Sequence, residues 1–385
     1  MMHTQAERIA QVSSAVIHGW HSNLILKCRD TLYVCGIIAN PDLTDTFKHH
    51  GVFYRRNPDG IWSEVGVVPH AVYSMSVGPD GRFWAVAPNS FQEAQVYRMA
   101  RPLDFGSFEE VYNGTCSYEG ASVSPEGNFL MLYAESPQMA AFTPNAVRSA
   151  FYERETGAWH GSRMVTPEGR YGYEGIILRG RTAIAVLNSS IRDPEAVPTP
   201  PHYSWRHLRL ARCDDLAAGQ WQQRPFVMPR FGYTGLQDLM LGPDGNAYLL
   251  YLNQTGDTLE EAQSAPMVQY LARIHPDLST EVFTTGMKPS PAKLLCDRRG
   301  RWFMVAELEP YYHLWQLDPD AGFRPVKEWE LPGTEVLEGY ICHTLRPERF
   351  GGEADGDTIH LMTARYLAGT ELAELWHVYF DLPQD

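Results

Sequence analysis

The segment YSMSVGPDGRFWAVAP, residues 73–88, is a short apolar run, a Pro-Asp-Gly turn and a second apolar run. Pro presets φ early in the turn and Gly supplies the positive φ that closes it, so the segment reads as a β-hairpin. The same form returns in GASVSPEGNFLMLYAE (120–135), LQDLMLGPDGNAYLLYL (236–252) and AKLLCDRRGRWFMVAEL (292–308). Two looser copies are HSNLILKCRDTLYVCG (21–36) and YEGIILRGRTAIAVLN (173–188). A seventh, GYICHTLRPERFGGEADGDTIHLMTA (339–364), has a longer turn.

Each hairpin is followed by a loop and a second hairpin, as in GVFYRRNPDGIWSEVG, SAFYERETGAWHGSR and HLWQLDPDAGFRPVKEWEL. Each unit therefore has four strands. Repetition at this period marks a stacked architecture. The expected fold is all-β, a seven-bladed β-propeller, with six or eight blades as the runners-up. We expect one propeller domain over residues 1–385, with blades starting near 21, 70, 115, 170, 231, 288 and 335. The N-terminal stretch around ERIAQVSSAVI is expected to supply the outer strand of the last blade. Helical periodicity is confined to TLEEAQSA (258–265), which reads as a loop insertion.

The composition, 44% hydrophobic and 20% charged, is that of a globular protein. A net charge of −14 and the lack of a Lys/Arg-rich run argue against nucleic acid or an anionic membrane as partner. The N-terminus shows no secretory pattern and no apolar run approaches spanning length, so a cytoplasmic protein is expected. The six cysteines are scattered with no CxxC pair and read as buried free thiols.

In a propeller the first strand of each blade lines the central channel. Strand starts and the loops between strands two and three share one face, and the tight Pro-Asp-Gly turns share the other. Long loops, at 36–51, 134–148, 188–206 and 252–268, all fall on the strand-start face, where a site is expected. The strand-start residues there are Tyr, His and acids with a few bases, a lining suited to sugars. They include His21, Tyr118, Glu119, Arg170, Tyr173, Glu174, Tyr233, Gln237, Lys293 and His343, with His50 closing the first long loop.

The tripeptide Tyr-Glu-Gly occurs twice, at Tyr118–Gly120 and Tyr173–Gly175. Its glutamates are equivalent positions of adjacent blades. Two carboxylates there can serve as a glycosidase pair, bind a cation such as Ca, or bond to sugar hydroxyls. The competing structural account is that Gly after Glu lets the blades pack closely. NPDGIW (57–62) has the form of an Asp-box turn, which is a structural device of an outer hairpin.

The pattern, with GWHSNLILKCRDTLYVCG and HHGVFYRRNPDGIW in the first blade, resembles the BNR/sialidase-like seven-bladed propellers of the ulvan lyase and rhamnose–glucuronate-cleaving type. In those enzymes two histidines are placed similarly to His21 and His50, and a Tyr and an Arg from later blades complete the site. The nearest matches here are Tyr173 and Arg170. The resemblance implies cleavage of an acidic, uronate-containing oligo- or polysaccharide by β-elimination. That reaction needs a base, an acid and a cation to neutralise the carboxylate. His21, His50 and Tyr173 are the expected catalytic residues. Arg170, Glu119, Glu174, Tyr118, Tyr233, Gln237, Lys293 and His343 are the expected substrate contacts. No cofactor is required. The alternatives are a rhamnosidase- or sialidase-like glycoside hydrolase, and a non-catalytic glycan- or protein-binding propeller.

Overall fold

The computed structural model describes residues 2–13, 22–39, 49–90, 93–114, 117–135, 146–165, 170–192, 203–334, 343–370 and 372–384. Seven four-stranded antiparallel sheets succeed one another along the chain. Their inner strands are Ile25–Cys28, Ser74–Val77, Ser117–Val123, Arg170–Arg179, Phe231–Leu241, Ala292–Cys296 and His343–Thr344, for blades 1 to 7 in order. From blade 1 to blade 6 each inner strand packs beside the next, and that of blade 7 packs beside that of blade 1. The protein is a seven-bladed β-propeller. Blade 7 takes its outermost strand, Thr4–Val12, from the N-terminal end of the chain, in antiparallel register with Ala373–Asp381.

The sequence pattern follows from burial. Second strands such as Phe129–Glu135 and Trp302–Leu308 are apolar runs because both faces of each blade are covered by neighbours. Large aromatics fill the wedges between blades. Trp84 of blade 2 stacks on Phe129 of blade 3 at 4.6 Å, and Tyr248 of blade 5 lies 4.3 Å from Trp302 of blade 6. The first hairpins close as expected: Gly81 and Gly245 sit at φ +79° and +80°. Asp80 and Asp244 each accept from the backbone N–H two residues on. The 258–265 insertion is a one-turn helix, Leu259–Ser264, held by a Thr258/Glu261 capping box. Among the described residues no helix is long and apolar enough to cross a membrane. Cys28, Cys35 and Cys213 are buried free thiols, and Cys296 is half-buried.

Blade 7 departs from the simple picture. Its first turn is more than long: residues 345–356 form a plug that crosses the channel on the tight-turn side. Pro347 begins a single helical turn, Pro347–Phe350, and Gly351 and Gly352 end it. A Cβ on Gly351 would stand 2.0 Å from the Val77 carbonyl, so only glycine allows this approach. The plug bonds to every other blade. Glu353 accepts from the Arg29 and Asp30 amides of blade 1. Gly351 bridges to Val77 of blade 2, and the Arg349 carbonyl accepts from Ser122 of blade 3. The Arg349 guanidinium donates to Ile176 O of blade 4 and Leu239 O of blade 5. Arg346 reaches Asp238 of blade 5 and Leu294 O of blade 6.

Candidate functional site

Three consecutive inner strands carry a β-bulge. Ser117 pairs with Ala134 and Gly120 with Leu132, so Tyr118 and Glu119 together oppose the single residue Tyr133. In blade 4, Tyr173 and Glu174 oppose Leu187 in the same way. In blade 5 the extra residue is Gln237, just before Asp238. A bulge re-aims side chains and bends the strand, and bulges gather beside functional sites. The doubled Tyr-Glu-Gly is thus one structural device used twice, with an acid at each bulge.

The glycine of the motif has a packing reason. A Cβ on Gly120 would lie 1.9 Å from the Glu174 carbonyl oxygen, so blade 3 sits directly on the backbone of blade 4. The same closeness seals in the carboxylates. Glu119 and Glu174 are buried, and neither Glu174 oxygen has a hydrogen-bond partner among the described residues. Burial pushes the Glu119 carboxyl up to about 7. Burial, with Glu119 as a like-charged neighbour, pushes Glu174 well above the usual carboxylate range. Both are set to hold protons near neutral pH. Tyr173 is half-buried and stands at φ +60°, a left-handed conformation that costs a non-glycine residue roughly 1 kcal/mol or more. Such strain persists only where surrounding packing imposes it.

Deeper in the channel the lining is ionic. A cavity of about 10 Å³ is lined by Ser22, Asn23, Lys293, His343 and Asp238, with Arg346 and Arg349 of the plug beneath them. That volume suits one water molecule. Asp238 accepts from the Leu239 and Leu294 amides and from Arg346, and Lys293 Nζ lies 4.0 Å from it. Burial pushes the Glu348 carboxyl up and pulls Arg349 down to about 10, which leaves its guanidinium charged at neutral pH. Three buried cations (Lys293, Arg346, Arg349) therefore face one buried acid, Asp238, and the half-buried Glu348, whose carboxyl is raised by desolvation. The channel floor is electropositive in a chain of net charge −14.

The expected residues sort as follows. Lys293 and His343 meet at this floor, both buried rather than on the rim. Glu119 and Glu174 meet each other in the wall between blades 3 and 4. Gln237 joins blades, accepting from Ala292 N and, through its carbonyl, from Lys293 Nζ. Tyr233 is half-buried in blade 5, its hydroxyl filling the space that a side chain on Gly235 would need. His50 opens the third strand of blade 1, paired across to Ile38, with no partner for its Nδ1 among the described residues. Arg170 begins the inner strand of blade 4 and Tyr118 is the second residue of that of blade 3, but their side chains lie outside the described residues, as does the whole of His21.

The sequence reading missed Arg346, Arg349 and Arg209. Arg209 is buried in blade 4 and donates from Nε to the Tyr171 hydroxyl at 3.0 Å. The signal for the plug was present in RPERFGG: a proline to start a helical turn, two glycines to end it and charges that no hairpin turn requires. Arg209 left no such mark, since alternating arginines in a strand usually face solvent. The Asp-box-like turn is local, as expected. Asn57 accepts from Gly60 N, and Asp59 from Ile61 N, on the outer hairpin of blade 1.

No family model matches this chain, and no curated protein matches its sequence. Among solved structures it is similar to the polysaccharide lyase Uly1, with 9% identity, a TM-score of 0.62, and coverage of 96% of this chain and 91% of that one. It is similar also to an ulvan lyase of polysaccharide lyase family PL25, bound to -[GlcA(1-4)Rha3S]-, with 10% identity, a TM-score of 0.64 and 95% of each chain covered. At these identities the likeness is one of fold: the chain shares the seven-bladed scaffold of polysaccharide lyases.

Proposed function

We propose that this protein binds an acidic, uronate-containing oligo- or polysaccharide in the channel mouth and cleaves it by β-elimination. The electropositive channel floor carries this reading. Lys293, Arg346 and Arg349 gather positive potential at the bottom of a channel plugged on one side, and a uronate carboxylate is the kind of group such a field draws in. The scaffold shared with an ulvan lyase bound to a glucuronate–rhamnose sulfate ligand supports the same substrate class.

Elimination next to a carboxylate proceeds by removal of the C5 proton, delocalisation of charge onto the carboxylate and protonation of the departing oxygen. Arg170 is assigned to the carboxylate. His21 and His50 serve as base or acid, and Tyr173, held out of ordinary strand geometry by its bulge, is the other proton donor or acceptor. Glu119, Glu174, Tyr118, Tyr233 and Gln237 shape the wall that meets the sugar. The reaction needs no cofactor. Among the described residues no three His, Cys, Asp or Glu side chains converge on a metal position.

A second reading, hydrolysis, is favoured by one observation. Burial raises the Glu119 carboxyl to about 7, the range in which a glycosidase acid works, and hydrolysis would require the wall between blades 3 and 4 to open onto it. Incubation with uronate oligosaccharides separates the readings. New ultraviolet absorbance from an unsaturated uronate supports elimination. New reducing ends without absorbance support hydrolysis, and binding without either supports a lectin-like propeller. His21→Ala with turnover intact would sink the proposed mechanism.

A further inference from the structure

The seam where the ring closes, between blade 7 and blade 1, holds a row of four titratable groups, two buried histidines between two half-buried carboxylates. Asp355 Oδ2 lies 2.8 Å from His360 Nε2. His360 Nδ1 lies 2.9 Å from His377 Nε2, and His377 Nδ1 lies 3.3 Å from Glu7 Oε2. The two imidazoles stack at 5.1 Å and 7°, and Tyr379 continues the stack. Trp62 of blade 1 covers His377 edge-on. Both histidines are buried. The row joins three strands: Glu7 is on the closing strand Thr4–Val12, His377 on Ala373–Asp381 and His360 on Thr358–Tyr366. Blade 1 holds both ends. Lys27 pairs with Asp355 and also lies 3.5 Å from Asp30. Arg56 donates twice to Glu7, and the Tyr379 hydroxyl donates to it as well.

Counting protons exposes an imbalance. The row has three contacts, and each needs one N–H. Both carboxylates are held ionised by their cation and hydrogen-bond partners, so they only accept. Two neutral imidazoles supply two protons. One contact is therefore unfilled, and the distances say which. With His360 protonated on Nε2 and His377 on Nε2, the 2.8 and 2.9 Å contacts are bonds. The 3.3 Å contact between His377 Nδ1 and Glu7 is then two acceptors face to face. One added proton, on His377 Nδ1, completes the row. A further one has only His360 Nδ1 left, where it would meet the His377 Nε2–H head-on, so the rings must part.

We propose that this row is a pH-operated clasp on the closing seam, forced open by the proton that reaches His360 Nδ1, which parts Ala373–Asp381, with the closing strand Thr4–Val12 paired to it, from Thr358–Tyr366. Burial of the rings, which drives His360 down to about 4 and lowers His377, places the opening near about pH 4. Nothing in this depends on the carbohydrate reading.

Hydrogen exchange of the full chain between about pH 8 and about pH 4, corrected for intrinsic rates, tests the clasp. Protection of Ala373–Asp381 should fall by roughly tenfold more than that of Tyr203–Cys213, the third strand of blade 4, once the pH drops below about 5. His377→Gln keeps a polar amide but cannot titrate, and it should remove that extra loss. Equal pH dependence of the two strands, or an unchanged loss in the variant, overturns the proposal. If the variant does not fold, nitrogen-15 spectra of the wild-type histidines at neutral pH decide. His377 protonated at Nε2 alone is expected, and an Nδ1 proton there overturns the count.

Discussion

Replacing Glu119 by Gln should stabilise the protein, by an amount that depends on pH. The Glu119 carboxyl is buried between blades 3 and 4, and its folded value is raised from 4.5 to about 7. A raised value means that the folded chain keeps a proton the unfolded chain gives up. The stability tied to that proton is fully present below about 4.5 and is lost as the pH climbs through about 7. Each unit of difference is worth about 1.4 kcal/mol, so at about pH 8 the group costs about 3 kcal/mol, and at about pH 5 less than about 1 kcal/mol. Gln keeps the shape and removes the titration. Urea unfolding of wild type and Glu119→Gln should therefore differ by about 3 kcal/mol at about pH 8 and converge near pH 5. Taking the difference cancels the opposite trend from His360, whose depressed value makes the chain lose stability as pH falls from 6.5 toward about 4. A variant less stable than wild type at pH 8, or a gap that does not change with pH, would refute the buried-acid argument. The same variant bears on chemistry. It should leave elimination measurable and abolish turnover if the enzyme is a hydrolase.

Gly120→Ala should cost about 3 kcal/mol or more, because its methyl would lie 1.9 Å from the Glu174 carbonyl oxygen. Gly180→Ala, at φ +55° with open space around it, should cost only about 1–2 kcal/mol in the same urea assay. Arg346→Met leaves Asp238 buried without its guanidinium partner and should cost about 3–5 kcal/mol by urea unfolding, with most of it recovered when Asp238→Leu is added. Tyr173→Phe should lower lyase turnover by about 100-fold while the urea midpoint stays near wild type, and retained turnover would remove Tyr173 from the mechanism.

Much of the fold was legible because hairpin chemistry is local. Pro, Asp and Gly at residues 79–81 and 243–245 determine their own turns wherever the chain sends them. The site was less legible. Tyr118, Glu119, Tyr173 and Glu174 were recognisable as equivalent positions, but their bulges were not, since a bulge is a mismatch between two strands and neither strand encodes it alone. The expectation that Lys293 and His343 reach a rim failed to foresee the plug. Depth in the channel depends on what closes it, and the closing segment comes from blade 7, far along the chain.

Sequence by itself determined the seven four-stranded units and their tight first turns. These follow from backbone preferences and alternating hydrophobicity over a few residues at a time. Tertiary structure decided which charges matter. Only the closed ring brings Asp238, Lys293 and Arg346 together from three blades, buries Glu119 against Glu174, and sets Glu7 beside His377 from opposite ends of the chain. Electrostatic effects depend on distance and on exclusion of water, and both are set by the packing of distant segments.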